Sequence, residues 1–254
     1  MKLAIMQPYF FPYIGYYQAI NAVDKYILYD NLNFIKEGWM NRNRYLIKNG
    51  SACYFHAPIK EKSSYKKIHE IELIENDKWK KKILHSLFFN YRKAKYFDDV
   101  YPLVSDVINY ETNKLSELNF QSIKRTCDYL KITTEITEDN LKYNDIEIKL
   151  LAENINEKDF SGLHLIDWKR KVVRALEICR IEKADIFINA IGGTDLYSKN
   201  DFFNHGIELR FIKTKLIEYK QFDKNFVPNL SIIDVMMFNS PEEIKRLLSE
   251  YELI

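Results

Sequence analysis

The stretch Leu3-Ala4-Ile5-Met6-Gln7-Pro8-Tyr9-Phe10-Phe11-Pro12-Tyr13-Ile14-Gly15-Tyr16-Tyr17-Gln18-Ala19-Ile20-Asn21-Ala22 decides the fold. Its first four residues are a short apolar run, which predicts a strand buried on both faces. Pro8 and Pro12 fix φ and forbid a regular helix, so residues 7–12 are a tight loop. A short helix follows from Tyr13 to Ala22, and Lys25-Tyr26-Ile27-Leu28-Tyr29-Asp30 predicts a second strand. Strand, loop, helix, strand is the grammar of a parallel α/β unit. Gln7 then sits at the carboxyl end of strand one, where open α/β sheets place their ligand crevice. The same loop also reads as a rigid connector, with Tyr9, Phe10, Phe11, Tyr13, Tyr16 and Tyr17 packing a core.

Polar groups crowd next into Asp30-Asn31-Leu32-Asn33-Phe34 and Trp39-Met40-Asn41-Arg42-Asn43-Arg44. A carboxylate, amides, guanidinium groups and aromatics in so short a span suit a site better than a solvated face. Ser51-Ala52-Cys53-Tyr54-Phe55-His56-Ala57-Pro58-Ile59 predicts a third strand ending at a proline. Between Pro58 and Tyr96 there are eleven basic residues and five acidic ones. Lys78, Lys80, Lys81 and Lys82 surround Trp79, and Leu84, Leu87, Phe88 and Tyr91 recur at helical spacing. That pattern reads either as a solvated helix face or as a contact for an anionic partner, whether nucleotide, tRNA or acidic membrane surface.

Helices are predicted over 97–110 and 113–130, so residues of about 65–130 form a helical insertion between α/β pieces. A strand is expected over 132–136, then a polar stretch to Gly162, then an amphipathic helix from Trp168 to Ile181. Ala184-Asp185-Ile186-Phe187-Ile188-Asn189 predicts another strand, with Gly192-Gly193 close after its carboxyl end, where paired glycines allow close approach of a ligand. Ser198, Ser231 and Ser240 are placed as helix N-caps, each with an acid three residues on. Leu209-Arg210-Phe211-Ile212 predicts a last strand. The expected fold is a single α/β domain over 1–254: a Rossmann-like parallel sheet from 1–60 and 131–254, with the helical insertion between.

The bulk numbers narrow the class. The charge balance of +2 excludes a global nucleic-acid field, and 18 Tyr with 16 Phe exclude a disordered chain. Cys53, Cys127 and Cys179 are widely spaced without a C-x-x-C pattern, which reads as reduced thiols in the cytoplasm. The apolar run at the N-terminus breaks at Gln7, unlike a signal peptide or membrane span. His56, His69, His85, His164 and His205 show no metal-ligand spacing, so no metal is expected. G-x-S-x-G, phosphate-loop and G-x-G-x-x-G motifs are missing from the sequence. What remains is polar groups at predicted strand ends: Gln7 and Tyr13, Asp30 and Asn33, and Asn189 with Gly192 and Gly193.

Tyr13-Ile14-Gly15-Tyr16 occupies the place where nucleotidyltransferase-type folds carry H-x-G-H, and resembles that motif with both histidines replaced by tyrosines. Tyrosine donates a hydrogen bond but carries no positive charge for a phosphate. Four pieces together resemble the WbqC-like family of bacterial surface-polysaccharide gene clusters. They are Met6–Tyr16, the run Gly38-Trp39-Met40-Asn41-Arg42-Asn43, the run Asn189-Ala190-Ile191-Gly192-Gly193, and Pro228-Asn229-Leu230-Ser231-Ile232-Ile233-Asp234. The resemblance implies a glycyl (aminoacyl) transferase that forms an amide on a nucleotide-linked amino sugar in O-antigen synthesis. The activated amino acid would come as an adenylate or an aminoacyl-tRNA. On that reading Asp30 is the general base, and Gln7 and Tyr13 complete the catalytic set. Asn41, Asn189 and the Gly192 and Gly193 amides hold carbonyl and hydroxyl groups, and Arg42 and Arg44 take a diphosphate. Tyr16, Asn33, Trp39, Asn43, Asn229, Ser231 and Asp234 are the remaining substrate-binding candidates. The rival readings are a nucleotidyltransferase or glycosyltransferase on the same scaffold, and a catalytically silent pathway scaffold.

Overall fold

The computed structural model describes residues 1–152, 163–222 and 225–254. Along the chain come β1 (Lys2–Met6), α1 (Ile14–Asn21), β2 (Lys25–Leu28), β3 (Arg42–Leu46) and β4 (Ala52–His56). Next are α2 (Lys78–Tyr91), α3 (Phe97–Ile108), α4 (Leu115–Tyr129), β5 (Glu135–Thr137), α5 (Asn144–Ala152) and α6 (Leu163–Glu182). The chain closes with β6 (Ile186–Ala190), α7 (Lys199–Phe203), β7 (Glu208–Thr214), α8 (Ile232–Phe238), α9 (Pro241–Leu247) and β8 (Tyr251–Leu253).

Six strands form one sheet in the order β5-β2-β1-β6-β7-β8, and every neighbouring pair is parallel except β7 with β8. This is a Rossmann-like α/β sheet, as its apolar strands predicted. β1 has β2 on one side and β6 on the other, so the topology switches direction between β1 and β6. Alternate strand residues supply two cores. Ala4, Tyr26, Leu28 and Ile188 pack with α1, the insertion helices, α8 and α9. Leu3, Ile27, Phe187 and Leu209 pack on the other face with α5, α6 and α7. Phe187 and Phe202 stack there with ring centres 5.3 Å apart, docking α7 on the sheet.

β2 and β5 pair directly, Lys25 opposite Glu135, although more than a hundred residues separate them. Helices α2, α3 and α4 lie in that intervening segment. The expected third strand does not join the parallel sheet. β4 pairs antiparallel with β3 as a separate two-stranded ribbon, Arg42 opposite His56. β3 escaped the sequence reading because Arg42-Asn43-Arg44 is polar. Its burial nevertheless alternates, with Asn43 and Tyr45 inward, as period-two pleating requires. β8 was also unforeseen, being three residues at the chain's end. Part of the polar stretch before Gly162 is α5, and residues 153–162 of it lie outside the described residues.

The caps divide. Ser240 and Glu243 form a full capping box, and Ser231 Oγ accepts from the Ile233 amide. Ser198 stands at the N-cap of α7 but its side chain makes no capping bond. Among the described residues, no helix is long and apolar enough to cross a membrane.

One polar junction ties the end of α6 to the sheet. Glu182, 8% exposed at its side chain, pairs with Lys25 of β2 at 3.0 Å and with Lys142 before α5. Tyr143 donates its hydroxyl to the same carboxylate. Burial pushes the Glu182 carboxyl up, but Lys142, Tyr143 and Lys25 outweigh burial and hold it down at about 2. The folded carboxyl therefore binds its proton more weakly than the unfolded one. Its contribution to stability is complete above the ordinary carboxylate range and is lost as pH falls towards that lowered value. Glu182→Gln should destabilise the protein at neutral pH, and its deficit in urea midpoint should shrink as pH falls from about 5 towards about 2. A deficit that stays constant over that range would contradict the assignment.

Candidate functional site

The loop after β1 is buried backbone without helix or strand, so its polar groups need side-chain partners. They have them. The Gln7 carbonyl accepts from the Tyr16 hydroxyl at 2.8 Å, and the Pro8 carbonyl from Asn119 Nδ2 of α4 at 3.0 Å. Asn43 Nδ2 of β3 donates to the carbonyls of Phe10 and Phe11, at 3.2 and 2.6 Å. Ser231 Oγ also donates to the Phe11 carbonyl, and the Ile232 amide donates to that of Pro12. The Phe11 amide donates to Ser122 Oγ of α4 at 3.3 Å. Phe11 is held at φ +42°, a conformation that a bulky residue adopts only when its surroundings impose it. Three segments distant in sequence, together with the adjoining α1, thus converge on the six-residue loop.

That loop and the strand ends frame three neighbouring hollows. The largest, a crevice of about 680 Å³, opens at the carboxyl ends of β1 and β6, the switch point of the sheet. Gln7, Asn33, Asn189, Gly192 and Gly193 are brought together there. A Cβ on Gly193 would lie 2.7 Å from Asn189 Nδ2, so only glycine lets these two groups approach; above Gly192 the space is open. A smaller hollow of about 290 Å³ gathers Tyr13, Trp39, Asn43, Arg44 and Asn229. A third, of about 580 Å³, lies at the carboxyl end of β7 and shares Tyr13 and Asn229 with the second.

The remaining candidates sit elsewhere. Asp30 opens onto a separate hollow with His69, Ser116 and Glu138, and accepts from Asn140 Nδ2 at 2.8 Å. Burial there raises its carboxyl above the usual range. Asn41 Nδ2 donates to the Ala57 carbonyl, closing the base of the β3–β4 ribbon. Arg42 pairs with Glu37 at 3.0 Å, donates to the carbonyls of Glu37 and Gly38, and lies over Tyr54 and Trp39. Tyr16 and Ser231 are buried and committed to the loop carbonyls. Asp234 is fully buried and accepts from the Tyr91 and Tyr219 hydroxyls, both at 2.6 Å, and from Gln221 Nε2 at 2.9 Å. Burial holds its carboxyl above the usual range, against the opposing pull of those three donors. Because Tyr91 also accepts from the Leu46 amide, this carboxylate links α8 to α2 and the ribbon.

The crevice contains charged groups that the sequence reading passed over: Lys67, Arg170, Lys171, Arg174 and Glu147. Arg174 grips Glu147 through Nε and Nη2, and Tyr29 donates to the same carboxylate at 2.7 Å. Burial pushes Glu147 up, but Arg174 and Tyr29 outweigh it and its carboxyl stays below the usual range. Arg170 Nε is buried without a hydrogen-bond partner. Among the described residues lining the crevice, Lys67, Arg170 and Arg174 accompany one carboxylate, Glu147, which is already engaged, so the cations outnumber the acids there. The available signal was the spacing of Arg170 and Arg174, one turn apart on α6 and so on one face. It was submerged in the polar half of an amphipathic helix. Among the described residues, no group of His, Cys, Asp or Glu is arranged to hold a metal.

The loop's dependence on α4 is testable. Asn119→Leu removes the donor to the carbonyls of both Pro8 and Met40 while keeping the side chain's bulk. Leaving two buried carbonyls unpaired should cost about 2 kcal/mol or more in denaturant unfolding. A loss below about 0.5 kcal/mol would show that the loop does not need this anchor.

The comparisons with known proteins cover almost the whole sequence. A protein of Mycobacterium tuberculosis described as "Uncharacterized protein Rv1507c" is 27% identical over 241 residues, covering 94% of this chain and 93% of its own. No solved structure matches. The profile of one family spans residues 7–246, from the glutamine that follows β1 to the last turn of α9. The chain belongs to the WbqC-like protein family.

Proposed function

We propose that the chain is a transferase acting on a phosphate-bearing small molecule, a nucleotide-linked amino sugar, held in the crevice between the ends of β1 and β6. The observation that carries this reading is the charge of that crevice: among the described residues that line it, Lys67, Arg170 and Arg174 stand with the single carboxylate of Glu147. Low-dielectric walls focus such a field on an incoming anion, and a guanidinium fork suits phosphate oxygens. Arg170 Nε is a donor still to be used. Arg174 is positioned by Glu147 rather than free, so it contributes charge and geometry together. Arg42 is committed to Glu37 and Gly38, and in this reading the diphosphate role passes from it to the cations of the crevice.

The finer chemistry is amide formation. The sugar amine attacks the carbonyl of an activated aminoacyl group; the new C–N bond forms, the bond to the activating group breaks, and the amine proton is released. Gln7 and Asn189 are placed on the crevice wall to hold the acyl oxygen or sugar hydroxyls by hydrogen bonds. Asp30 opens onto a different hollow and is given no part in the transfer. Nucleotidyl transfer in the manner of H-x-G-H motifs has less support, because Tyr16 spends its hydroxyl on the Gln7 carbonyl and is buried. The Tyr13 ring lies where a Cβ on Gly15 would be, 2.4 Å away, and covers the glycine face that such a motif leaves open.

Binding is tested by titrating nucleotide-linked amino sugars and inorganic pyrophosphate into wild type, Arg170→Ala and Arg42→Ala. Arg170→Ala should weaken both ligands about tenfold, with a steep salt dependence in wild type, while Arg42→Ala should change the affinity for pyrophosphate less than about threefold. Transfer is tested by offering the enzyme activated glycine with the bound sugar and looking for the amide by mass spectrometry. Phosphorylated ligands that ignore Arg170 would overturn the binding assignment, and no amide with any activated amino acid would overturn the chemistry.

A further inference from the structure

We propose that the hollow bounded by Tyr9, Pro12, Tyr13, Trp39, Arg44 and Asn229 is a nucleobase subsite, continuous with the phosphate-binding crevice across Tyr9. The inference rests on the reading of the crevice given above and says where the rest of the ligand lies. Tyr9 lines both cavities, so the two adjoin there, and in this proposal one ligand reaches across its ring.

The walls of the hollow are flat rings held in place. Trp39 is 40% exposed and Tyr13 39% exposed, large apolar surfaces left uncovered inside a concave site. Trp39 stacks on Tyr54 with ring centres 6.1 Å apart and planes 23° from parallel. The guanidinium groups of Arg42 and Arg44 each lie 5.8 Å from its ring centre. Arg42 is itself fixed by Glu37 and Gly38. Tyr13 is seated over Gly15, where no larger residue fits. Rings fixed in this way meet a planar ligand with little ordering cost.

The rim supplies a reading group. Asn229 takes φ +56°, a left-handed backbone angle that asparagine tolerates, and its carbonyl accepts from Arg44 Nη2 at 2.9 Å. Its side-chain amide makes no hydrogen bond among the described residues, leaving one donor and one acceptor side by side. That pair matches the donor–acceptor edge of a nucleobase. Arg44 Nε is buried beside it without a partner. At about 290 Å³ the hollow takes a heterocycle of one or two rings. Asn43, the other amide lining the hollow, is already spent on the loop carbonyls, so Asn229 is the amide left to read a ligand edge.

Calorimetric titration of UMP, CMP, AMP, GMP and ribose 5-phosphate into wild type, Trp39→Ala and Asn229→Gly separates this subsite from the crevice. Wild type should bind at least one nucleotide ten- to a hundredfold more tightly than ribose 5-phosphate, the usual range for one stacked base. Trp39→Ala should abolish that advantage and leave ribose 5-phosphate unchanged, whereas Arg170→Ala should weaken every phosphate ligand alike. Asn229→Gly relieves the positive φ, so it folds, and it should alter the ranking of the four bases. Equal affinity for ribose 5-phosphate and all four nucleotides overturns the subsite, as does an advantage that survives both substitutions. If ribose 5-phosphate does not bind at all, the crevice reading fails by itself. Uridine and adenosine, titrated by quenching of tryptophan fluorescence, then decide the subsite. Saturable quenching lost in Trp39→Ala upholds it, and its absence overturns it.

Discussion

Everything near the candidate site depends on keeping one irregular, buried segment in place. Residues 7–12 carry carbonyls that neither a helix nor a strand satisfies, and an unpaired buried carbonyl costs about 1–3 kcal/mol. The chain meets this with Asn43, Asn119, Ser231 and Tyr16, drawn from β3, α4, the start of α8 and α1, while Ser122 of α4 accepts from the Phe11 amide. The insertion and the C-terminal segment are therefore more than additions to a sheet. They hold the loop whose two ends supply Gln7 to the crevice and Tyr13 to the adjoining hollows.

This constraint explains why residues of one chemical kind have such different fates. Asn43 and Asn189 are both amides in motifs rich in polar groups, yet Asn43 is 4% exposed and satisfied by backbone, while Asn189 faces the crevice. Asp234, which is buried, and Glu147, which is partly buried, are both carboxylates with tyrosine donors. Asp234 links α8, α2 and the ribbon deep in the core, whereas Glu147 orients an arginine at a cavity wall. The architecture thus spends one set of polar side chains on holding the backbone and reserves another for the solvent-filled spaces between strand ends.

The parallel sheet was legible because its strands are short apolar runs followed by helices, a pattern that local sequence states directly. Gln7, Asn189 and the paired glycines could be placed near one another for the same reason, since successive carboxyl strand ends share an edge of the sheet. The ribbon was illegible: its alternation is carried by arginine and asparagine, and the inward asparagine is balanced by carbonyls more than thirty residues away. The charge of the crevice was illegible too. Lys67 comes from a turn after the ribbon and Arg170 from α6, and only tertiary packing sets them against the end of β1. Asp30 illustrates the converse, a polar residue at a strand end that opens onto a different hollow because β2 lies on the far side of β1.

The account places ligand at the switch point of the sheet, and amide hydrogen exchange with and without a nucleotide-linked amino sugar tests that location most directly. Binding there should slow exchange in residues 189–196, at the end of β6, and in α6 around Arg170 to Arg174, with little change around Asp30 and His69. Slowing confined to the Asp30 hollow, or none in either place at saturating ligand, would contradict it.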